Sequence, residues 1–266
     1  MIEEEEYIDM GSDYMYKDYL AFAIELGKEA GQFILPQEGK AGGQTLKAAK
    51  DFVTEMDLKV EALIIERIQA AYPDHRIFSE EAGAIDSDSD FEWVIDPIDG
   101  TINYSMGVPL YGVSIALTYK NDPIVGVLSF PGLNEVYWAS KGSGAFKDGE
   151  RIQVREVSLA ESIISHSDFA KDGNKEANTQ RLELLGKIVN DVYRVRIIGT
   201  AAVSLAYIAA GRFDAALYMS PAFYDVAAGQ LLVTEAGGVT ATAGPYTLFG
   251  QKQAIAGLQN ILNGSK

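Results

Sequence analysis

The chain of 266 residues carries 38 acidic and 22 basic side chains, a formal net charge of −16 at pH 7, and 47% of its residues are hydrophobic. This acidic balance argues against nucleic acid and anionic membranes as partners, because their phosphates would be repelled. The chain has no cysteine and only two histidines, so neither a disulfide framework nor a thiolate or histidine-rich metal site is predicted.

The first residues, MIEEEEYIDM, are acidic where a secretory signal would be basic. No apolar run approaches the roughly 20 residues that span a bilayer. We therefore expect a cytoplasmic protein whose residues 1–12 form a frayed lead-in. Beyond them, KDYLAFAIELGKEAGQFI predicts a helix over 17–34, GKAGGQTL predicts a loop, and a second helix is expected over 55–71.

The middle of the chain predicts strands. RIFS is a short strand that leads into an acidic loop, and FEWVID is a strand with an apolar centre that is expected to end at Asp96. YGVSIALTY, PIVGVLSF and NEVYWAS are separated by short polar turns and predict an antiparallel meander, and GSGAFKDGERI predicts a further hairpin.

The second half begins with a predicted strand, SIISHSD, followed by a helix over 175–190 and the strand YRVRIIG. TAAVSLAYIAAG predicts a helix of small residues, FDAALYM a strand, and YDVAAGQLLVTEAGG a helix closed by glycines, with KQAIAGLQNIL following. Because helices and strands come in blocks, we predict a layered α+β architecture. An N-terminal domain over 13–150 and a C-terminal domain over 151–266 are expected.

Carboxylates gather beside predicted strand and helix ends in four short stretches, DFVTEMD, SEEAG, DPIDGT and YDVAAG. Each alone is a weak signal, because an aspartate after a strand is a common turn residue and Asp225 would cap the helix that it opens. Should these acids converge, the cation that they suit is a hard one, Mg²⁺ or Ca²⁺, since carboxylates without Cys or His favour such ions.

The stretch DPIDGT carries more information than the others. Its proline fixes its own backbone angle and pushes Asp96 into an extended conformation, so the chain is expected to turn there. The turn can project Asp96 and Asp99 to one side, with the Ile98 carbonyl between them. Gly100 allows backbone N–H groups to approach an anion and Thr101 offers a hydroxyl, at the positive end of a helix if TINYSM begins one. The stretch therefore predicts oxygen ligands for a cation beside donors for a phosphate.

In chain order, DFVTEMD, SEE, WVIDPIDGTINY, GTAA and YDVAAGQLLVTEAGG resemble the motifs of the inositol monophosphatase family of Mg²⁺-dependent, lithium-sensitive phosphatases, over about residues 17–260. The resemblance implies a layered αβαβα sandwich of the sugar phosphatase type, usually a homodimer. It also implies hydrolysis of a small phosphorylated substrate by a metal-activated water. Two or three Mg²⁺ ions are implied, for which Mn²⁺ can substitute, with Ca²⁺ and Li⁺ as inhibitors.

The resemblance carries roles over position by position. The implied metal ligands are Glu80, Asp96, the Ile98 carbonyl, Asp99 and Asp225. The implied catalytic residues are Glu80 and Thr101, which would orient and activate the water, and Asp57, which would act near the metals partly through water. The implied substrate contacts are Asp99, Gly100, Thr101, Gly199, Thr200, Ala201 and Asp225, whereas Asp51 is expected to be structural.

One departure from the family concerns the substrate. Inositol-specific members commonly carry a glutamate seven residues before the last metal-binding aspartate, and here that position is Tyr218. A carboxylate that pairs with sugar hydroxyls is thereby missing, and such polar groups discriminate strongly between substrates. Inositol 1-phosphate is the default, while fructose 1,6-bisphosphate, another sugar phosphate or a nucleotide phosphate stay open.

Three further alternatives stay open. His166 is expected either to be buried or to contact the edge of the substrate. Arg196 alternates within a predicted strand and could instead approach the acidic cluster or the substrate. An inactive family member that serves as a binding or regulatory protein is a different class of function, against which the intact set of motif residues argues.

Overall fold

The computed structural model describes residues 16–40, 45–48, 51–53, 55–170 and 173–264. The expected lead-in at 1–12, the expected domain start at residue 13, part of the expected loop at 41–44 and the side chain of Asp51 lie outside the described residues. The α-helices are α1 (Lys17–Ile34), α2 (Glu55–Ala71), α3 (Thr101–Met106), α4 (Lys175–Ile188), α5 (Ala201–Ala209), α6 (Phe223–Glu235) and α7 (Lys252–Leu262).

The strands follow the predicted order with some additions. They are β1 (Thr45–Ala48), β2 (Asp51–Val53), β3 (Arg76–Ser79), β4 (Gly83–Ile85), β5 (Phe91–Asp99), β6 (Gly112–Tyr119), β7 (Asp122–Phe130), β8 (Glu135–Ser140), β9 (Gly144–Lys147), β10 (Glu150–Ile152), β11 (Ile163–His166), β12 (Arg194–Arg196), β13 (Ala215–Met219), β14 (Val239–Ala243) and β15 (Tyr246–Gly250). The loop expected at GKAGGQTL is wrong in its last residues, because β1 begins at Thr45 and pairs with β2.

Two sheets and three helical layers form a sandwich. The larger sheet has the strand order β10-β9-β8-β7-β6-β5-β3-β4, and the smaller has the order β12-β11-β13-β15-β14. Helices α1 and α2 pack on one face of the larger sheet, α5 and α6 lie between the two sheets, and α4 and α7 cover the outer face of the smaller sheet. The predicted α+β class and the layered αβαβα sandwich are confirmed.

Burial explains why these segments form helices and where they lie. In α1 the buried side chains include Leu20, Leu26 and Ile34, which recur at helical spacing and form one apolar face toward the larger sheet. The middle helices differ, because α5 and α6 are covered on both sides and are apolar almost all round. Their close approach requires a glycine, since a Cβ at Gly229 would lie 2.4 Å from Leu205 Cδ1.

Strand pairing in the larger sheet confirms the predicted antiparallel meander of β6, β7 and β8 and the hairpin of β9 with β10. β5 and β9 continue the antiparallel pairing on either side of the meander. In the smaller sheet β11 is parallel to both β12 and β13, and β15 pairs antiparallel with β13 and β14. Within the part of the chain that the structure describes, each helix is too short or too polar to cross a bilayer.

The predicted end of β5 at Asp96 is wrong, because the strand continues to Asp99 through an irregularity in its pairing with β6. The physical reason is the missing neighbour on the other side. β3 pairs with β5 only as far as Ile95, opposite Ser79, so Pro97 lies where β5 has one partner strand. A proline is tolerated at such an edge or bulge because it has no N–H group to donate.

Candidate active site

The sequence-predicted site residues meet at one cavity of about 590 Å³, where strands end and helices begin. β5 ends there, α3, α5 and α6 begin there, and the loop after β3 contributes a glutamate. The predicted residues that line it are Glu80, Asp96, Ile98, Asp99, Gly100, Thr101, Gly199, Thr200, Ala201 and Asp225. Asp57 does not line the cavity and reaches it through Thr101, as described below.

Asp96 is the most deeply buried acid of the cavity, with 2% of its surface exposed. Burial, followed by the negative charges of Glu80, Asp99, Asp225 and Asp57, holds the pKa of Asp96 well above the usual range of an aspartate. Its Oδ1 atom is buried and has no hydrogen-bond partner in the part of the chain that the structure describes. A buried carboxylate oxygen without a donor is unfavourable, and a bound cation would supply the missing contact and offset the repulsion.

The donor atoms at this end of the cavity are all oxygens of carboxylates, one carbonyl and one hydroxyl. Among the described residues, no three carboxylate or imidazole groups are gathered closely enough to form a metal cage by themselves. Like charges oppose closer approach until a cation lies between them. The unpartnered Asp96 oxygen and the all-oxygen donor set therefore fit a hard divalent cation such as Mg²⁺.

Asp99 is held by the beginning of α5. The Thr200 hydroxyl donates to Asp99 Oδ2 at 2.8 Å, and the Ala202 backbone N–H donates to the same oxygen. Thr200 also caps α5, because its Oγ1 accepts from Val203 N at 3.2 Å. The positive end of the helix dipole stabilises a carboxylate at this position. The second half of the chain thereby orients an acid of the first half.

Thr101 lies between two acceptors. Its Oγ1 is 3.3 Å from Asp57 Oδ1 and 3.1 Å from the Ile98 carbonyl oxygen, and Asp57 is buried on α2. From the family resemblance Thr101 is expected to pair with Glu80, whereas the hydrogen bonds of Thr101 in the structure go to Asp57 and Ile98. A hydroxyl has one proton and two lone pairs, so Thr101 can donate to either of these oxygens and still accept from a water.

Glu80 is positioned by a second glutamate that the sequence motifs did not point to. Glu61 is 4% exposed on α2, and its Oε1 accepts from the Ser79 hydroxyl, from Glu81 N at 2.9 Å and from Ala82 N at 3.1 Å. These contacts fix the backbone on both sides of Glu80. The signal in the sequence is weak, because a glutamate in the middle of a helix is ordinarily exposed.

The turn between β5 and α3 depends on a glycine and an asparagine. Gly100 has a φ of +92°, and a Cβ there would lie 2.9 Å from the Leu110 carbonyl oxygen. Asn103 donates through Nδ2 to Leu110 O at 2.7 Å and to Ile198 O at 2.8 Å. It thus joins this turn to the segment that precedes Gly199. Asn103 lines the cavity but is not among the predicted site residues.

Other polar side chains enter the cavity from the second half of the chain. His166 is both buried and on the cavity wall, its Nδ1 lies 2.6 Å from Ser167 O, and burial lowers its pKa. Tyr218 and Arg181 also line the cavity. Arg181 gave no sequence signal, since an arginine in a polar helix is ordinarily exposed. Arg196, the alternative considered from the sequence, is exposed on β12 and does not line this cavity.

Comparison with known proteins identifies the family of the chain. The model of the inositol monophosphatase family matches residues 15–264. A fructose-1,6-bisphosphatase/inositol-1-monophosphatase of Thermotoga maritima is 35% identical over 247 residues, which cover 92% of this chain and 90% of that protein. Nus factor SuhB of Escherichia coli is 37% identical over 223 residues, or 83% of each chain.

Solved structures agree. The Thermotoga maritima IMPase superposes with a TM-score of 0.85 at 32% identity, over 93% of this chain and 97% of that one. The extragenic suppressor protein SuhB of Bartonella henselae superposes with a TM-score of 0.87 at 29% identity, over 92% and 98%. The class that follows is a phosphatase, a phosphoric monoester hydrolase. More closely, the chain belongs to the inositol monophosphatase family.

Proposed function

We propose that the protein hydrolyses the phosphate monoester of a small sugar or polyol in a Mg²⁺-dependent reaction. The observation that carries this proposal is Asp96, a buried carboxylate whose Oδ1 has no hydrogen-bond partner and whose neighbours are other acids on a cavity wall. A folded protein tolerates such an arrangement when a cation neutralises it. Magnesium would be held by Glu80, Asp96, the Ile98 carbonyl, Asp99 and Asp225.

The remaining roles concern this chain's own groups. When bound, Mg²⁺ lowers the pKa of water and neutralises phosphate oxygens. Glu80 accepts the proton of the attacking water. Thr101 orients that water through a free lone pair while its hydroxyl donates a hydrogen bond to Asp57 Oδ1 or to the Ile98 carbonyl oxygen. The backbone N–H groups of Gly100 and Thr101 bind the phosphate.

The substrate side is formed by Asp99, Gly199, Thr200, Ala201 and Asp225. Inositol 1-phosphate is the default substrate, and fructose 1,6-bisphosphate is the main alternative. The alternative is supported by Tyr218, which replaces a hydroxyl-binding glutamate with a nearly buried phenol on the cavity wall. It is also supported by the double name of the Thermotoga maritima relative.

A second candidate is a binding or regulatory role in place of catalysis, which the name Nus factor SuhB of the Escherichia coli relative supports. Two observations argue against this second candidate. The net charge of −16 disfavours binding to nucleic acid, and the acids on the cavity wall favour a catalytic site. We further propose a cytoplasmic homodimer in which a boundary near residue 150 separates two domains, with Mn²⁺ able to replace Mg²⁺ and with Ca²⁺ and Li⁺ inhibitory.

Phosphate release tests the proposal. Inositol 1-phosphate, fructose 1,6-bisphosphate, adenosine 3′,5′-bisphosphate and NADP would each be incubated with the protein in Mg²⁺ and in EDTA. We expect turnover of at least one sugar or polyol phosphate in Mg²⁺, none in EDTA, and none with Asp96→Asn. A folded wild-type protein that releases no phosphate from any of them at saturating Mg²⁺ would favour the binding role.

A further inference from the structure

None of the roles proposed above involves Arg181. It lies on α4, lines the cavity, and is partly buried. Its Nε and Nη1 atoms are buried and have no hydrogen-bond partner within the described ranges of the chain. These two nitrogens carry three of the five N–H donors of the guanidinium. A permanently charged group whose buried N–H donors have no acceptor is unfavourable unless a ligand accepts their hydrogen bonds.

The charge balance of the cavity makes this arginine distinctive. Among the described residues that line the cavity, Arg181 is the only lysine or arginine, against five carboxylates, which are Glu80, Asp96, Asp99, Asp168 and Asp225. Of these five acids Asp168 is the nearest to Arg181 in the chain, and its Oδ1 already accepts from Phe169 N at 2.8 Å. No ion pair joins Arg181 to any described acid. The guanidinium of Arg181 is therefore available on the cavity wall to pair with an anion that enters the cavity.

A neutral group near Arg181 shares its lack of partners. His166 Nε2 is buried, lines the cavity, and has no hydrogen-bond partner among the described residues. The Ser167 carbonyl can only accept, so His166 carries its proton on Nδ1 and leaves Nε2 as an acceptor in the neutral ring. A guanidinium and an imidazole acceptor that both lack partners among the described residues form a polar surface suited to a hydroxylated, anionic ligand.

We infer that Arg181 binds a second phosphate group of the substrate, so that this cavity selects a sugar bisphosphate over the corresponding monophosphate. The inference rests on the proposed phosphatase function and narrows its substrate class. Arginine suits this role because its planar guanidinium can present parallel N–H groups to phosphate oxygens. His166 Nε2 would accept a hydrogen bond from a hydroxyl of the same substrate. His166 would thereby supply an acceptor at a place where Tyr218 replaces the carboxylate of inositol-specific relatives.

A matched pair of substrates tests the inference. Fructose 1,6-bisphosphate and fructose 1-phosphate share the phosphate that would be cleaved and differ in the second one. In saturating Mg²⁺, Arg181→Ala should lower kcat/KM for the bisphosphate by roughly 10- to 100-fold, as expected for the loss of charge-assisted hydrogen bonds. For fructose 1-phosphate the fall should stay below about threefold. Lys187→Ala removes a charge from an exposed position of the same helix and should change neither value.

A binding measurement without metal keeps the inference separate from the proposed chemistry. Fructose 6-phosphate retains only the second phosphate, and its affinity can be measured by calorimetry in EDTA. We expect Arg181→Ala to weaken that binding by roughly 10-fold or more and Arg181→Lys to weaken it less. If the wild type releases phosphate from neither fructose ester nor from inositol 1-phosphate, the proposed function fails while calorimetry still reports on Arg181.

Three outcomes would overturn the inference. Equal losses of kcat/KM on the two fructose esters would make Arg181 a structural residue of α4. Unchanged kinetics on both would remove it from substrate binding. Fructose 6-phosphate affinity that is the same in the wild type and in Arg181→Ala would exclude a second phosphate site at this position.

Discussion

Glu61 offers a direct test of how the fold positions Glu80, the acid that we propose activates water. We predict that Glu61→Gln lowers kcat while it leaves substrate binding nearly intact. The reason is that Glu61 Oε1 accepts from Ser79, from Glu81 N at 2.9 Å and from Ala82 N at 3.1 Å, which flank Glu80 in the chain. A glutamine has nearly the same shape, but it offers a neutral acceptor and can present its NH₂ group to these donors.

The magnitude follows from the number and kind of these bonds. A hydrogen bond to a charged group contributes about 1.5–3 kcal/mol to stability, against about 0.5–1.5 kcal/mol between neutral groups. Three donors share one carboxylate oxygen, and Ala82 is exposed enough for water to replace its bond. We therefore expect a loss of about 1–3 kcal/mol in the free energy of unfolding. A residue that orients a metal ligand typically changes activity by about 10- to 100-fold, so kcat should fall by about 10-fold or more.

The assay combines urea unfolding with steady-state kinetics over a range of Mg²⁺ concentrations. We expect a lower kcat, a higher Mg²⁺ requirement and a KM within about threefold of the wild type. Glu66→Gln is the control, since Glu66 is exposed on the same helix, and it should leave all three values unchanged. If Glu61→Gln is destabilised but keeps the wild-type kcat and Mg²⁺ requirement, then Glu61 supports the fold and does not position Glu80.

Three further changes test other parts of the structure. Asp96→Asn should raise the free energy of unfolding in EDTA by about 1–3 kcal/mol, because it removes a buried unpaired carboxylate, and it should abolish stabilisation by Mg²⁺. Urea unfolding in EDTA and in Mg²⁺ measures both effects, and a loss of stability in EDTA would contradict the prediction. Burial lowers the pKa of His75 and of His166, so the unfolded chain takes up protons near pH 6.5 while the fold does not. The free energy of unfolding should therefore decrease as pH falls below about 6.5, by up to about 1.4 kcal/mol per histidine and pH unit; urea titrations should show a smaller decrease for His166→Gln, and an identical one would refute the assignment. Asp214 is fully buried and accepts two hydrogen bonds from Arg155 at 3.0 and 2.7 Å, so Asp214→Asn should cost about 2–4 kcal/mol in the same unfolding experiment, and a cost near zero would show that the pair is not a stabilising contact.

The element order and most strand boundaries could be predicted because they depend on local periodicity. The apolar face of α1 and the meander from β6 to β8 are examples. The hairpin of β14 and β15 was not predicted, since its first strand, VTATA, is half-exposed and contains no large apolar residue except Val239. The end of β5 was misplaced because Pro97 acts as a strand terminator only where both neighbouring strands are present, and β3 stops at Ser79.

The same division applies to the site. Asp96 and Asp99 could be predicted because the chemistry of their motif is local, and the structure brings them to the cavity with Glu80 and Asp225. Asn103 could not be predicted as a bridging residue, because its Ile198 partner lies 95 residues away in the chain. Glu61 and Arg181 likewise look like exposed residues of polar helices, and only tertiary packing removes them from solvent.

The charges on the cavity wall also determine the order in which its ligands can bind. A phosphate that approaches Glu80, Asp96, Asp99 and Asp225 meets four acids of its own sign, within a chain of net charge −16. Repulsion by Asp96 and Asp99, which are buried, is screened little. A cation must therefore enter first or together with the substrate, and by linkage each then raises the affinity of the other by the same factor. Arg181 stands outside this requirement, because a guanidinium attracts the second phosphate whether or not a metal is bound. A substrate with two phosphates would thus be held at one end by the protein alone and at the other only through the metal.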